Sequence, residues 1–159
     1  MIGYASTPAG WTRVIMDGDL IQSVHFVDNK EVYGDFSEIP ESLEPLFSRA
    51  CHGLGLSRLK TNGTSFQKAV WRELSSLKTG ETQTYGEIAA RLGNGKWARA
   101  VGSACALNQH AMVIPCHRVL SAKGLGQYKW GINRKANLLE WERRNLFKPF
   151  FHLFRKFDN

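Results

Sequence analysis

The sequence contains no uninterrupted apolar run of the roughly 18 residues that a membrane-spanning helix requires. Its first residues, MIGYASTPAG, lack the basic and apolar segments of a secretory signal, so we expect an intracellular protein, cytoplasmic or, in a eukaryote, nuclear. Cysteine is also scarce, and Cys51, Cys105 and Cys116 form no regular framework. This pattern is typical of free thiols in a reducing compartment and argues against a fold held by disulfides.

Charge is distributed unevenly along the chain. Residues 1–58 carry 4 Lys and Arg against 8 Asp and Glu, whereas residues 59–159 carry 17 against 6, for a net charge of +7. The hydrophobic content of 43% and the charged content of 22% are those of a soluble globular protein. A basic surface attracts polyphosphate through counterion release, but it also serves solubility alone, so charge leaves nucleic-acid binding open.

Hydrophobic patterning predicts a mixed α/β (α+β) fold in two parts. Residues 11–28 alternate apolar and polar positions around an Asp-Gly turn, which is typical of a β-hairpin. Apolar residues at helical spacing predict a short helix over 40–54, and glycines then break the pattern. We therefore expect a small sheet-bearing domain over residues 1–60 and a mainly helical, winged-helix-like domain over residues 61–159.

Helix signals are clearest in the second part of the chain. Thr64 with Gln67 and Thr84 with Glu87 fit capping boxes, and the helix that starts at the second box stops at Gly93. A third helix, KWARAVGSACAL, follows after a few residues, and RKANLLEWERR predicts a last one. Two short helices joined tightly indicate either a DNA-binding helix-turn-helix or an ordinary hairpin whose small residues permit close packing.

The stretch VIPCHRVL places Cys116, His117 and Arg118 side by side after an apolar segment, AMVIP, that we expect to be extended. A cysteine needs a base or a positive field to become a thiolate, and His117 is the nearest base. Neighbours on an extended chain point to opposite faces, so this pair interacts only if the backbone turns or a water bridges it. Glu142, with Glu140 as a weaker option, is available to orient the imidazole. These residues alone leave Cys116 as either a nucleophile or a buried thiol.

Six motifs resemble, in order and spacing, the O6-alkylguanine-DNA alkyltransferase family: GTSFQKAVW, TYGEIAARLG, ARAVGSA, IPCHRVL, GQYKWG and RKANLLEWE. The resemblance is close over residues 62–143 and only general before residue 58. It implies DNA repair by direct reversal, in which the alkyl group on O6 of guanine in duplex DNA moves to the protein's own cysteine. The transfer would occur once, irreversibly and without a cofactor or metal, and O4-alkylthymine is left open as a second substrate.

Matching positions within and between these motifs imply roles for five catalytic residues. Cys116 would accept the alkyl group after His117 activates it through a bridging water, and Glu142 would hold and charge the histidine. Tyr85 would meet the guanine base and offset charge that develops on it. Asn108 would brace the turn beside the active site.

The resemblance also implies a DNA-binding surface on the third helix. Arg99 would enter the duplex and fill the place of the rotated-out nucleotide, while small residues let the helix approach the minor groove. Besides Arg99, the residues assigned to DNA contact are Thr84, Lys96, Ala98, Ala100, Gly102, Ser103 and Arg118. For Arg118 the alternatives are a phosphate contact and an ion pair with an acid. The residues assigned to the substrate pocket are Val119, through its carbonyl, Gly126, Tyr128, Lys129 and Gly131.

Three classes of function remain at this point. They are alkyl transfer to Cys116, a non-catalytic module that binds alkylated DNA, and a cysteine hydrolase that uses Cys116 and His117. The second class carries another residue in place of this cysteine, and the third predicts turnover. We expect a monomer on double-stranded DNA, with cooperative binding open, and no membrane partner. No cysteine precedes Cys51, so an amino-terminal zinc site is not expected, and the Phe-rich tail over 147–159 is expected to pack on its own domain.

Overall fold

The computed structural model describes residues 2–28 and 56–144. The helix expected over 40–54 and the Phe-rich tail over 147–159 lie outside these residues. The division of the chain into domains at residue 60 stays a prediction. No helix within the described ranges is long and apolar enough to span a bilayer.

Three antiparallel strands open the chain: β1 (Ile2–Thr7), β2 (Gly10–Asp17) and β3 (Leu20–Val27), in that order in the sheet. The β2–β3 hairpin confirms the pattern seen around Asp17 and Gly18, and its register shifts between Ile15 and Met16. Sequence patterning did not predict β1, because the segment IGYAST offers few large or β-branched apolar residues to mark an inner face. β1 is specified instead by its pairing along β2.

Among residues 56–144, four α-helices are present: α1 (Ser65–Ser75), α2 (Tyr85–Arg91), α3 (Ala98–Ala106) and α4 (Ile132–Arg144). Both predicted capping boxes are present. The Thr64 hydroxyl accepts from the Gln67 backbone N–H while the Gln67 side chain accepts from the Thr64 N–H, and Thr84 and Glu87 repeat this exchange. Each box satisfies two backbone donors that a helix start otherwise leaves free, which fixes where α1 and α2 begin.

The tight connection between α2 and α3 gives the helix-turn-helix. Gly95–Trp97 forms a separate 3-10 turn in which Asn94 caps the Lys96 N–H at 3.0 Å, so α3 begins at Ala98, two residues later than its predicted start at Lys96. The indole of Trp71 ties α1 to α3, because its Nε1–H donates to the buried Ala104 carbonyl at 2.9 Å.

The segment 111–115, expected to be extended, is instead a compact turn. Met112 has a φ of 64°, and the N–H groups of Ile114 and Cys116 donate back to the carbonyls of His110 at 3.0 Å and Ile114 at 2.8 Å. Side chains from Ala111 to Ile114 are all buried, so the run reads as apolar throughout and its periodicity cannot separate a strand from a buried turn.

Two backbone pairings position this turn. On one side, the Val24 N–H of β3 donates to the Gln109 carbonyl at 2.8 Å and the Ala111 N–H donates to the Val24 carbonyl at 2.9 Å. On the other side, the short parallel strands β4 (Gln83–Thr84) and β5 (Val119–Leu120) connect the start of α2 to the segment that follows Cys116. The sheet and the helices share one hydrophobic core around these pairings.

Replacing Trp71 by Phe should lower the free energy of unfolding by about 1–3 kcal/mol, because the buried Ala104 carbonyl loses its donor. Chemical denaturation of the full chain measures this loss. Trp97→Phe is the matched control: Trp97 is 41% exposed, so its change should stay within about 0.5 kcal/mol. Equal losses in the two variants would contradict the role given to the indole hydrogen bond.

Candidate active site

Cys116 opens a 3-10 turn, Cys116–Arg118, and its side chain is only 4% exposed. The turn supplies the change of backbone direction that adjacent cysteine and histidine residues need in order to act together. Burial raises the pKa of the Cys116 thiol, although the Asn108 hydrogen bond and the charges of Lys135 and Lys129 oppose this effect. The thiol is therefore protonated at neutral pH, and its reactivity depends on a base.

Asn108 holds the loop that ends at Cys116. Its fully buried amide Nδ2 donates to the Ile114 carbonyl at 2.9 Å and to Cys116 Sγ at 3.2 Å, and its Oδ1 accepts from the His110 N–H at 2.9 Å. Lys129 Nζ donates to the Asn108 backbone carbonyl at 2.9 Å. One amide thus braces the turn from within and also contacts the sulfur.

His117 is fully buried, and its Nε2 lies 2.7 Å from Glu142 Oε1. Burial lowers the pKa of His117, the charges of Arg118 and Lys135 act in the same direction, and Glu142 opposes them. The imidazole is accordingly neutral at neutral pH, with its proton on Nε2, because a carboxylate can only accept. The other nitrogen, Nδ1, is buried and makes no hydrogen bond within residues 2–28 and 56–144. Its lone pair can therefore accept a proton.

Glu142, on α4, is a buried carboxylate surrounded by donors. Besides His117, it accepts from the guanidinium of Arg118, with N···O distances of 2.8–3.1 Å, and from the Gly80 N–H at 3.1 Å. Burial acts to raise the pKa of Glu142, but the hydrogen bonds and charges of His117 and Arg118 outweigh it and hold the pKa at about 2. The group is ionised across the physiological range.

The expected phosphate contact of Arg118 is wrong. The side chain is 2% exposed and spans from Glu142 to the turn after α1, where its Nη1 donates to the Leu77 carbonyl at 2.6 Å. Nη2 also lies 3.4 Å from Thr79 Oγ1. The alternative, an ion pair with an acid, is what the structure contains, since a guanidinium so enclosed cannot reach a DNA backbone.

Tyr85 and the glycine-bearing loop that follows β5 form a wall beside Cys116. Tyr85 is the first residue of α2, and its hydroxyl donates to the Gln127 carbonyl at 3.3 Å. Gly126 has a φ of 74°, and a Cβ there would lie 3.0 Å from the Tyr85 ring and 3.0 Å from the Ser121 nitrogen. Only glycine allows the loop to pass this close to the ring. Gly131, with a φ of 102°, ends the same loop.

Two further predicted pocket residues lie in this loop. The hydroxyl of Tyr128 is buried and has no hydrogen-bond partner among the described residues, and its ring meets Trp130 edge to face at 5.4 Å between centroids. Lys129 Nζ lies over Trp130 at 5.2 Å while it bonds Asn108. The loop is thereby attached both to the sheet side, through Trp130, and to the turn that holds Cys116.

Lys135, on α4, is a residue of the site that sequence reasoning missed. It is fully buried, and its Nζ donates to the carbonyls of Val119 and Gln127, the latter at 2.9 Å. Burial lowers the pKa of Lys135, and the thiols of Cys116 and Cys105 oppose this. The Val119 carbonyl, assigned to the guanine amino group, therefore already accepts one hydrogen bond and keeps one lone pair for another donor.

A signal for Lys135 was present in the sequence. Lys135, Leu138 and Glu142 fall at i, i+3 and i+7, the spacing of one helix face, and all three are buried. A lysine on the same helix face as an apolar residue and a candidate acid predicts that its charge is buried, and a buried charge needs partners.

The predicted DNA-binding face of α3 is exposed. Val101, Ala104 and Cys105 point into the core, while Arg99, Ala100 and Ser103 face solvent. Arg99 makes no hydrogen bond or ion pair with any described residue, so its side chain is available to a ligand. The predicted contacts are not all alike: Lys96 is exposed, Ala98 and Gly102 are half-buried, and the hydroxyl of Thr84 already caps α2.

The remaining thiol and the histidines form no further centre in the described ranges. Burial raises the pKa of Cys105 far above its ordinary value, so this thiol is inert and fills volume inside α3. His110 is buried, with its Nε2 3.2 Å from the Ile21 carbonyl. Across residues 2–28 and 56–144, no three His, Cys, Asp or Glu side chains are grouped to hold a metal ion.

The chain is similar in sequence and in fold to known DNA methyltransferases. Residues 65–144 match the model of a family described as 6-O-methylguanine DNA methyltransferase, DNA binding domain. The chain is 34% identical over 146 residues to a probable methylated-DNA–protein-cysteine methyltransferase of Acanthamoeba polyphaga mimivirus, covering 91% of this chain and 97% of that protein. It is 43% identical over 122 residues to the methylated-DNA–protein-cysteine methyltransferase of Methanosarcina mazei, covering 76% and 75%. The crystal structure of Mycobacterium tuberculosis OGT in complex with DNA superposes with a TM-score of 0.72 at 30% identity, covering 98% and 99%.

Stability should depend on pH through Glu142. Its folded pKa of about 2 lies below the ordinary value of 4.5, so the unfolded chain binds the proton more readily between these values. The stabilisation is therefore present above about pH 4.5 and lost as the pH falls toward about 2. Denaturant titrations of Glu142→Gln across this range should show a weaker pH dependence than the wild type.

Glu140→Gln serves as the control for this prediction. The pKa of Glu140 is also lowered to about 2, chiefly by hydrogen bonds from Arg143 and Arg144, but the group is exposed and salt screens its pairs. In high salt this variant should keep the pH dependence of the wild type. An unchanged dependence in Glu142→Gln would count against a buried, ionised Glu142.

Proposed function

This chain belongs to the 6-O-methylguanine DNA methyltransferase family, and we propose that it repairs DNA by transferring an alkyl group from O6 of guanine to Cys116. DNA is its partner, since the family's DNA-binding domain spans α1 to α4. One observation carries the assignment of the acceptor: Cys116 is a buried thiol next in sequence to a neutral histidine. The Nε2 of that histidine is held by an ionised glutamate, and its Nδ1 is unpaired among the described residues. That arrangement supplies a nucleophile and a base within one turn.

Activation moves a single proton. His117 Nδ1 takes the proton of the Cys116 thiol through one bridging water, while the proton on His117 Nε2 stays there and keeps its hydrogen bond to Glu142. The resulting imidazolium lies against a carboxylate with a pKa of about 2, which stabilises its charge. The new thiolate is stabilised by the Asn108 amide at 3.2 Å and by the positive charges of Lys135 and Lys129.

The transfer step balances without a cofactor. Cys116 Sγ attacks the alkyl carbon bound to O6, the carbon–oxygen bond breaks, and its electron pair stays on guanine. Guanine takes up one proton, and the balance closes when His117 gives up the proton that it received from the thiol. The products are a thioether and unmodified guanine. Tyr85 donates its hydroxyl proton in a hydrogen bond to the base as charge develops there, in place of its bond to Gln127. Since a thioether does not return the thiol, each molecule acts once.

The pocket residues determine how the base is held. The loop with Gly126 and Gly131 approaches the Tyr85 ring, and Tyr128 closes the pocket beside it. The free lone pair of the Val119 carbonyl accepts from the guanine amino group, next to Lys135.

Arg99 and the small residues of α3 provide the approach to DNA. A stacked alkylguanine is out of reach of a buried sulfur, so the nucleotide must leave the duplex, at a cost of a few kcal/mol. The unpaired guanidinium of Arg99 fills the vacated place, since it is planar, always charged and able to stack. The small side chains of Ala100 and Ser103 allow the rest of the exposed face of α3 to fit into a minor groove.

The reaction requires one chain. Every residue to which we assign a chemical role belongs to the described part of a single protomer, so we propose a monomer on duplex DNA carrying the lesion. Its substrate places it with the genome, in the cytoplasm of a cell without a nucleus or in the nucleus of a eukaryote.

Cys116 should receive one methyl group per protein molecule. Incubation with increasing amounts of a duplex that contains one O6-methylguanine, followed by peptide mass analysis, measures both the stoichiometry and the residue. Cys116→Ser should bind the duplex and transfer nothing, while Cys105→Ser, which alters the inert thiol, should react like the wild type. Binding alone by the wild type would identify a non-catalytic damage-binding module, and repeated release of product would identify a hydrolase.

Arg99→Ala should slow methyl transfer from duplex DNA by about 10- to 100-fold, because the extruded nucleotide is no longer replaced. Transfer from a single-stranded oligonucleotide should change little, since no stack has to be opened. Lys96→Ala is the control: loss of one phosphate contact should weaken binding uniformly and lower the salt dependence by about one counterion. Equal slowing of Arg99→Ala on single and double strands would argue against insertion into the duplex.

A further inference from the structure

Arg118 and Glu142 form an ion pair that is closed to solvent. Their side chains are 2% and 0% exposed, and both Nε and Nη2 of the guanidinium donate to the carboxylate, at 2.8–3.1 Å. Paired contacts of this kind fix the plane of the carboxylate as well as its charge. Arg118 is enclosed by protein, and its donors bind Glu142, Leu77 and Thr79 rather than the Cys116 sulfur, so alkyl transfer as described above gives it no direct part.

The far side of the guanidinium is anchored to the turn that follows α1. Nη1 donates to the Leu77 carbonyl at 2.6 Å, and Gly80 of the same turn donates its N–H to Glu142 Oε2 at 3.1 Å. The turn therefore holds both members of the ion pair. With these contacts in place, the carboxylate also faces His117, whose Nε2 lies 2.7 Å from Glu142 Oε1.

We propose that Arg118 is a positioning residue whose fixed charge balances Glu142, so that His117 stays neutral and keeps Nδ1 free to take the Cys116 proton. This inference rests on the alkyl-transfer function proposed above. It assigns the arginine beside the catalytic pair to the proton relay rather than to the DNA surface.

A buried carboxylate needs a positive partner, and the nearest group that can become positive by taking up a proton is the His117 imidazole. Without Arg118, a second proton on His117 would supply the missing charge, and both ring nitrogens would then be donors. The His117–Cys116 pair would hold one proton too many for transfer and would have to lose it first. The charge of Arg118 also lowers the pKa of His117 directly.

The other charged groups around the imidazole do not replace Arg118. Lys135, from α4, also lowers the pKa of His117, but its Nζ is committed to the carbonyls of Val119 and Gln127. Glu142 is the acid that faces the His117 ring, and Cys116 is the residue that precedes His117 in the same 3-10 turn. Removing Arg118 thus leaves one buried negative charge with no direct cationic partner except a protonated His117.

The test compares the pH dependence of methyl transfer in two variants of the full chain. Arg118→Gln keeps amide donors but removes the charge, and it should shift the apparent pKa of the rate upward by about 1 unit or more, with the rate recovering at high pH. Arg118→Lys keeps the charge and should stay close to the wild-type profile. Arg143→Gln, in an exposed pair with Glu140 on the same helix, is the control and should not shift.

Nuclear magnetic resonance of the His117 ring nitrogens, without DNA, provides a readout that does not need activity. The wild type should show a neutral ring with the proton on Nε2, and Arg118→Gln should titrate at higher pH. This measurement separates the two proposals, because it reads the effect of Arg118 even if no methyl group is transferred. An unshifted His117 titration in Arg118→Gln, or an equal shift in Arg118→Lys, would overturn the inference.

If Arg118→Gln does not fold, a double variant decides the matter. Arg118→Gln with Glu142→Gln removes both charges and leaves two neutral side chains. Charge balance predicts that this protein regains its fold and shows no raised His117 titration. A double variant that stays unfolded would mean that Arg118 acts through packing alone, which overturns the proposal.

Discussion

The site depends on one buried negative charge. The Glu142 carboxylate, carried by α4, is shielded from water and therefore requires donors from protein, and it draws them from two other segments: the turn after α1 and the 3-10 turn of Cys116–Arg118. A buried charge left without such partners is strongly destabilising, so the fold and the orientation of His117 are fixed by the same requirement. Stability and proton transfer are in this way coupled at one carboxylate.

The Cys116 sulfur, unlike the Glu142 carboxylate, is uncharged in the resting protein. Burial raises the pKa of Cys116, and the Asn108 amide with two nearby lysines offsets only part of that effect. A protonated, enclosed thiol reacts slowly with adventitious electrophiles and oxidants. For a protein whose nucleophile is consumed in a single reaction, this resting state preserves the thiol until a base with a free lone pair can remove its proton next to the substrate.

Local chemistry was readable from the sequence, whereas contacts between distant segments were readable only where the family resemblance implied them, as for Glu142 and His117. The boxes at Thr64 and Thr84 were predictable because a cap and its partner lie three residues apart. The buried turn around Met112 and the parallel pairing of β4 with β5 depend on contacts between distant segments, which an apolar run does not encode. Arg118 was assigned to DNA and Lys135 was not predicted for the same reason: a charged side chain is buried only when partners from distant segments are present.

The amino-terminal sheet supports the site through backbone pairing and through a side-chain contact with the pocket loop. Val24 pairs with the segment at Gln109 and Ala111, and Trp130 of the pocket loop donates its Nε1–H to His25 Nδ1 at 3.3 Å. Main-chain hydrogen bonds require a strand in the right place but place little demand on its side chains. This difference explains how the family resemblance can be close over the helical part and only general in the sheet. Side chains that touch the reacting atoms must keep their chemistry, whereas the supporting strand needs its register and an apolar inner face for the shared core.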